Sequence, residues 1–153
     1  MKKLEVVVYL ALIAALSAMV GLEGQRNTEL QSKAQLTPKK LYARLSNPQL
    51  KLQIVDARED LAEYEDTHVP GAIPFPGCDP AMAPAAAKDR VYGYVPTVII
   101  TAEGDAATFE KCRAQFTVAW NLAGGMTAWS DQTLPEDSGE YTPPKSTAGG
   151  GCL

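Results

Sequence analysis

The middle of the chain alternates between short apolar runs and amphipathic segments. Four runs have the composition of buried strands: Leu52–Arg58, a short run that ends at Pro74, Thr97–Ile100 and Val118–Leu122. Helical spacing is found around Leu41–Leu45, over Glu59–Asp66 and Ala106–Phe116, after Pro84, and from Met126 to Trp129. Strands that alternate with helices at this spacing predict a small parallel-sheet α/β domain over residues 36–134.

The strand Thr97–Ile100 is followed by a loop that ends in a helix. We name this segment, Thr101–Ala107, the site loop. In open α/β proteins, backbone N–H groups converge where a strand delivers the chain to a helix N-terminus, and they favour an anion there. The site loop contains no Cys, His, Ser, Lys or Arg, and it carries two carboxylates, Glu103 and Asp105. It therefore has the position of a reactive site without the reactive groups.

The N-terminal part of the chain predicts a membrane anchor. Val6–Leu22 is an uncharged apolar run of 17 residues, which is near the shortest length, about 17 residues, that spans a bilayer. Lys2 and Lys3 precede it and favour a cytoplasmic N-terminus, with the globular domain outside the cytoplasm, periplasmic if the protein is bacterial. Two alternatives stay open: a cleaved signal peptide, for which Ala15-Leu16-Ser17 has a suitable small-x-small pattern, and a buried core helix.

These patterns divide the chain into three parts. Residues 1–35 are expected to form the membrane anchor and a stalk, and residues 36–134 the α/β domain. Residues 135–153 include Pro143-Pro144 and Gly149-Gly150-Gly151, with almost nothing apolar to bury. We therefore expect residues 135–153 to be a flexible C-terminal tail.

Composition narrows the range of ligands. The net charge is −4, the pI is about 5.0 and the predicted domain has no basic stripe, so nucleic acid is not an expected partner. A single His and the absence of any CxxC pair argue against a zinc site, and no cofactor motif is visible. Cys78 and Cys112 could form a disulfide in an oxidising compartment, but the sequence leaves both this and a reactive Cys78 open. The helical phase of Cys112 with Phe109 and Phe116 predicts a buried position.

Three motifs in order resemble those of the rhodanese-like (sulfurtransferase) domain family. Val55-Asp56-Ala57-Arg58 resembles the V-D-x-R strand end of that family. His68-Val69-Pro70-Gly71-Ala72-Ile73 resembles its H-I-P-G-A-I segment, and Leu122–Trp129, with Gly124 and Gly125, its L-x-G-G-x-x-x-W ending. The resemblance implies a rhodanese-like fold over about two thirds of the chain.

The site loop departs from the family pattern at the residues that carry chemistry. In the family this loop reads C-x-x-G-x-R-S, and its Cys carries a persulfide. With Gly104 as the fixed point, the resemblance puts Thr101 at the Cys position, Ala106 at the Arg position and Ala107 at the Ser position. A hydroxyl has no low-pKa thiolate form, and loss of Arg removes the cation that would hold an anionic substrate. The resemblance therefore implies the fold and argues against catalysis.

The remaining motif residues are expected to be structural. Asp56 and Arg58 are predicted to form hydrogen bonds or an ion pair at the end of their strand. His68 is predicted to cap a turn, or to bond Asp56 or a backbone carbonyl, and Trp129 to pack in the core or at its edge. Glu103 and Asp105 are too few carboxylates for a Ca²⁺ shell, so we expect a solvated loop.

Together these observations predict a non-catalytic rhodanese-like domain on a single-pass membrane anchor. Such a protein would be an accessory or scaffolding subunit of a membrane complex, in contact with its other subunits and, through Val6–Leu22, with the bilayer. One alternative is a sulfurtransferase or persulfide carrier that uses Cys78 or Cys112 as a displaced nucleophile. The other is a secreted binding module released by signal cleavage.

Overall fold

The computed structural model describes residues 34–47 and 51–144, together with Tyr9, Leu12, Ile13, Leu16, Ser17 and Met19. The chain divides into two compact units, Met1–Ala34 and Gln35–Leu153.

In the first unit, Ala34 lies in a turn, and the other six described residues are helical and exposed. The Ser17 hydroxyl donates a hydrogen bond to the carbonyl of Ile13, one helical turn earlier, at 2.8 Å. Most of the predicted membrane span, Val6–Leu22, lies outside the described residues. Within the part of the chain that is described, no helix has the length and apolar character needed to cross a membrane.

The second unit alternates strands and helices. The elements are β1 (Gln35–Leu36), α1 (Pro38–Leu45), β2 (Gln53–Asp56), α2 (Leu61–Asp66), β3 (Ile73–Pro74), a 3₁₀ turn (Pro76–Cys78), β4 (Thr97–Ile100), α3 (Ala106–Arg113), β5 (Ala119–Leu122) and α4 (Gly125–Asp131). Asp60 and Asp105 cap α2 and α3 through their side chains. Thr37 precedes α1 and Pro38 begins it, but the Thr37 hydroxyl makes no capping hydrogen bond.

The strands of the second unit form one five-stranded sheet in the order β1-β5-β4-β2-β3, with every pair parallel. All residues of β2 and β4 are buried, as expected for central strands covered on both faces. One face packs on a core cluster that includes Leu41, Ile100 and Trp129. The α/β class and the parallel sheet predicted from the sequence are confirmed.

Several element boundaries differ from the prediction. Gln35, assigned to the stalk, pairs with Asn121 of β5 and so belongs to the sheet. The helix α3 ends at Arg113, because residues 115 and 116 bond back only three residues in tighter turns. The helix predicted after Pro84 was wrong: residues 85–90 form turns, and Ala87 is their one buried side chain, so there is no apolar stripe to stabilise a helix.

The first part of the predicted tail is bound to the domain. The indole Nε1 of Trp129 donates to the carbonyl of Pro135 at 2.9 Å, and His68 and Asp137 exchange two backbone hydrogen bonds. The side chain of Glu136 accepts hydrogen bonds from Thr67 and Ser130. These partners come from distant elements, so the composition of residues 135–144 could not reveal them.

A disulfide joins Cys78, at the end of the 3₁₀ turn, to Cys112 in α3. Both side chains are buried. The bond resolves the alternatives left open by the sequence, and the buried position predicted for Cys112 is found. It links the segment after β3 to the helix that follows the site loop.

Candidate functional site

The site loop leaves the carboxyl end of β4, in the middle of the sheet. Its neighbours there are the ends of β2 and β5: Asp56 is in register with Ile100, and the Ala57 N–H donates to the Ile100 carbonyl at 2.8 Å. The last two residues of the site loop, Ala106 and Ala107, already belong to α3. The loop therefore occupies the position at which parallel α/β proteins bind ligands.

Thr101 lies inside the site loop and closes it. Its side chain is 3% exposed. The hydroxyl Oγ1 accepts a hydrogen bond from the backbone N–H of Asp105 at 2.8 Å. The hydroxyl is thus used to fix the loop, and the Asp105 N–H has its hydrogen-bond partner within the loop.

The two carboxylates of the site loop have different roles. Asp105 caps α3 by accepting a hydrogen bond from the Thr108 N–H at 2.7 Å. Hydrogen bonds from the Thr108 side chain and backbone lower the pKa of the Asp105 carboxyl, so it is ionised at neutral pH. Glu103 is exposed, as are Ala106 and Ala107. The loop surface therefore carries negative charge and no cation.

The Gly124–Gly125 turn packs against the backbone of the site loop. Gly125 has φ +59°, and a Cβ there would meet the carbonyl oxygens of Thr101 and Ala102 and the Gly104 nitrogen. A Cβ on Gly104 would likewise meet the Gly124 nitrogen at 2.7 Å. The two turns are in backbone contact, which only glycine permits on both sides.

Residues at the start of α4 and the end of β5 donate hydrogen bonds to carbonyls of the site loop. The Met126 N–H donates to the Thr101 carbonyl at 2.9 Å, and the Thr127 N–H and hydroxyl both donate to the Ala102 carbonyl at 3.0 Å. The Asn121 side-chain amide donates to the Gly104 carbonyl at 2.9 Å. The loop carbonyls are thereby held away from the surface.

Asn121 and Thr127 were not identified from the sequence. Each lies within or next to a predicted element, and nothing in the local pattern shows that β5 neighbours β4. The one available signal was that both flank the Gly124-Gly125 pair, a motif whose partner became visible only in the structure.

Asp56 and Arg58 form a buried ion pair beside the site loop. Arg58 donates from Nη2 to Asp56 Oδ2 at 2.7 Å and from Nε to Oδ1 at 3.0 Å, and also reaches the Thr67 carbonyl at 2.6 Å. The backbone N–H of Arg58 donates to the same carboxylate at 3.1 Å. The pair thus fixes the chain after β2 to the end of α2.

His68, Pro70 and Gly71 shape the turn before β3. His68 Nδ1 contacts the Tyr64 carbonyl at 2.7 Å, and its ring stacks on that of Tyr64. The Ala72 N–H bonds back to the Val69 carbonyl at 3.0 Å, with Pro70 at the second position of the turn and Gly71 at φ +77° at the third. Pro followed by a positive-φ Gly is typical of a type II turn.

The site loop has the strand-to-helix position of an anion site, but it has no cationic side chain and no thiol. Both cysteines in the described part of the chain are in the disulfide, and no group of three or more His, Cys, Asp or Glu among those residues could hold a metal ion. Trp129, predicted to pack in the core or at its edge, belongs to α4 and is fully buried. The fold and the loop define a small parallel-sheet α/β domain with a strand-to-helix ligand loop at the carboxyl edge of its sheet.

Comparison with protein families identifies this class. The rhodanese-like domain model matches residues 37–132, and the chain therefore belongs to the rhodanese-like domain family, which includes sulfurtransferases and related proteins. The resemblance inferred from the three motifs is thus confirmed. Among curated proteins, no sequence match is found.

Solved structures share the fold at low sequence identity. A full-length protein from Lactobacillus plantarum is 20% identical with a TM-score of 0.59, covering 75% of this chain and 98% of that one. The rhodanese-like domain of an Anabaena protein is 22% identical with a TM-score of 0.57, covering 78% and 92%. A 3-mercaptopyruvate sulfotransferase from Escherichia coli is 22% identical with a TM-score of 0.54, covering 72% of this chain and 54% of the enzyme. At these identities, the likeness establishes the fold.

Proposed function

We propose that this rhodanese-like domain is non-catalytic and serves as an accessory or scaffolding subunit of a membrane protein complex, anchored by Val6–Leu22. The observation that carries the proposal is that Thr101 is buried and hydrogen-bonded within the site loop. It stands where the resemblance puts the nucleophilic Cys, and its hydroxyl accepts the hydrogen bond that closes the site loop.

Sulfur transfer through the site loop is disfavoured on chemical grounds. A persulfide requires a thiolate, and a hydroxyl provides neither the low pKa nor the sulfur. The ionised Asp105 and the exposed Glu103 repel an anionic sulfur donor, and Ala106 provides no compensating cation. Each of these features acts in the same direction.

The disulfide weighs against the displaced-nucleophile alternative. A persulfide carrier would need a free thiol at Cys78 or Cys112, and the two sulfurs are bonded to each other in a buried position. Disulfides persist mainly in oxidising compartments, so the same bond supports a domain on the extracytoplasmic side.

The surface of the site loop suits a docking role. Ala102, Glu103 and Asp105–Ala107 are exposed, while the backbone beneath them is held by Asn121, Met126 and Thr127. A rigid exposed loop loses little conformational entropy when a partner binds. We therefore expect the partner to contact this acidic loop.

Thiosulfate-dependent cyanolysis tests the absence of catalysis. We expect the full chain, with and without reductant, to release no more thiocyanate than a variant in which Cys78, Cys112 and the third cysteine, Cys152, are replaced by Ser. T101C provides the comparison, because it restores a thiol beside the Asp105 N–H. Release by the native chain that disappears in C78S or C112S would instead establish the displaced-nucleophile alternative.

Extraction of native membranes in mild detergent tests the scaffolding role. We expect the chain to migrate in gel filtration within a larger assembly. Its intact mass should show that the N-terminal segment is retained. E103K should reduce recovery of the partner, whereas E110K, the same change on the exposed surface of α3, should not. A monomer with no co-purifying protein would contradict the proposal, and a soluble form lacking the N-terminal segment would support the secreted module.

A further inference from the structure

A cleft of about 450 Å³ lies beside the edge strand β3. One wall is formed by Tyr64, His68 and the turn Gly71–Ile73, and the other by residues of the C-terminal segment 137–144. None of the site loop residues lines it. The cleft is therefore separate from the rhodanese-like site, and the proposed scaffolding role does not depend on it.

His68 presents an unused acceptor to this cleft. Its side chain is 7% exposed and stacks on Tyr64, with ring centroids 3.9 Å apart and planes within 5°. Nδ1 faces the Tyr64 carbonyl at 2.7 Å, and because a carbonyl can only accept, Nδ1 carries the hydrogen. In the neutral imidazole Nε2 is then an acceptor, and no hydrogen-bond partner for it exists in the described part of the chain.

The hydroxyl of Tyr64 does not supply the missing donor. It donates to the Ala72 carbonyl at 2.9 Å and is thereby satisfied. Tyr141 completes the aromatic lining from the opposite wall and is half-buried. Burial raises the pKa of the Tyr141 hydroxyl, and the positive charge of Arg90 partly offsets this rise. Arg90 itself does not line the cleft.

Two carboxylates, Asp137 and Glu140, add further acceptors at the cleft. Within the residues the structure describes, neither side chain has a hydrogen bond or an ion pair, and no Lys or Arg lines the cleft. Their segment is held in place because Asp137 and His68 exchange backbone hydrogen bonds of 2.8 and 2.9 Å, and the Gly139 N–H donates to the Glu65 carbonyl at 2.6 Å. The backbone at Asp137 and Gly139 is thus held beside His68 and α2, and the Asp137 and Glu140 side chains are exposed there.

We infer that this cleft binds an organic cation, an alkylammonium or guanidinium group that donates N–H bonds to His68 Nε2 and to the Asp137 and Glu140 carboxylates. A group with several donors and a positive charge satisfies all three acceptors, and its alkyl stem packs on the half-buried Tyr141 ring. The group is supplied either by a Lys or Arg side chain of a polypeptide or by a free amine.

Titration of the full chain in mild detergent tests this binding. The probes are n-butylguanidinium with its neutral isostere n-butylurea, and capped Ala-Arg-Ala with capped Ala-citrulline-Ala. The chain has one His, so its ring C–H resonances report His68 without ambiguity, and calorimetry gives the affinity. We expect the cationic probes to bind and to shift the His68 resonances, and the neutral probes to do neither.

Two double variants of equal charge separate specific from general attraction. D137N/E140Q is expected to weaken the binding of the cationic probes by about tenfold or more, because close carboxylate–cation pairs lose their charge. D131N/E110Q changes the net charge equally at two exposed residues that do not line the cleft, and it should leave the affinity within about twofold, since exposed charges outside the cleft are screened.

Each outcome bears on the proposal. Tighter binding of the Arg peptide than of n-butylguanidinium supports it and indicates a polypeptide side chain as the source, whereas equal or weaker peptide binding supports it and indicates a free amine. Equal binding of charged and neutral probes, an equal loss in both double variants, or no binding of either cation would overturn it.

Discussion

Replacing Arg58 with Met is expected to leave the Asp56 carboxylate buried without its counter-ion. The Arg58 and Asp56 side chains are 6% and 1% exposed, and the guanidinium makes the two shortest contacts of the pair, 2.7 and 3.0 Å. Met keeps most of the apolar stem, so the packing volume changes little. What is lost is the charge, the hydrogen bonds to Asp56 and the donor to the Thr67 carbonyl.

The size of the effect follows from burial. Breaking a buried ion pair by removing one partner costs about 3–5 kcal/mol, since the remaining charge stays out of water. The surface pair Arg113–Glu110 gives a matched control at 3.2 Å, with side chains 43% and 44% exposed. R113M should cost at most about 1 kcal/mol, because water screens an exposed pair.

Urea unfolding followed by tryptophan fluorescence measures both variants. The two tryptophans of the chain, Trp120 and Trp129, lie in the rhodanese-like domain, so the signal reports this unit of the protein. We expect R58M to lower the free energy of unfolding by several times the loss in R113M. A difference between them below about 1 kcal/mol would refute the reasoning, because burial would then add nothing to the pair.

Three further predictions concern the disulfide, the glycines and a buried tyrosine. Reducing the Cys78–Cys112 disulfide, which closes a loop of 34 residues, should lower the unfolding free energy by about 3–4 kcal/mol in urea titrations with and without reductant; a loss below about 1 kcal/mol would contradict this. G71A, at a positive φ with open space around it, should cost about 1–2 kcal/mol; G125A should cost clearly more, because its Cβ also meets the backbone of the site loop, and equal losses would argue against that contact. Burial, followed by the charge of a neighbouring aspartate, raises the pKa of Tyr64, so the folded state holds this proton after the unfolded chain has released it. Stability should therefore be lost as pH rises above about 10, and Y64F should flatten that decline in pH-dependent unfolding; an unchanged slope would contradict the assignment.

Local pattern predicted the elements of the sheet well. The apolar run Thr97–Ile100 is buried at every position and forms the central strand β4 within its predicted bounds. A strand of this kind needs no distant information, because covering both faces of a parallel sheet demands apolar residues at successive positions. The helix predicted after Pro84 was wrong for the complementary reason: a composition rich in Ala permits a helix, but the segment has no apolar stripe to bury against the domain.

The sequence alone therefore determined the class of fold and the strands β2 to β5, since these are written in local composition and spacing. The tertiary structure alone decided that Cys78 bonds Cys112, that Asn121 holds the Gly104 carbonyl, and that residues 137–144 form the wall of a cleft with His68. The physical reason is the same for all three. Parallel strands are joined by long crossovers, and the C-terminal segment returns to His68 after the last helix, so the residues that meet are distant in sequence and leave no periodic signal.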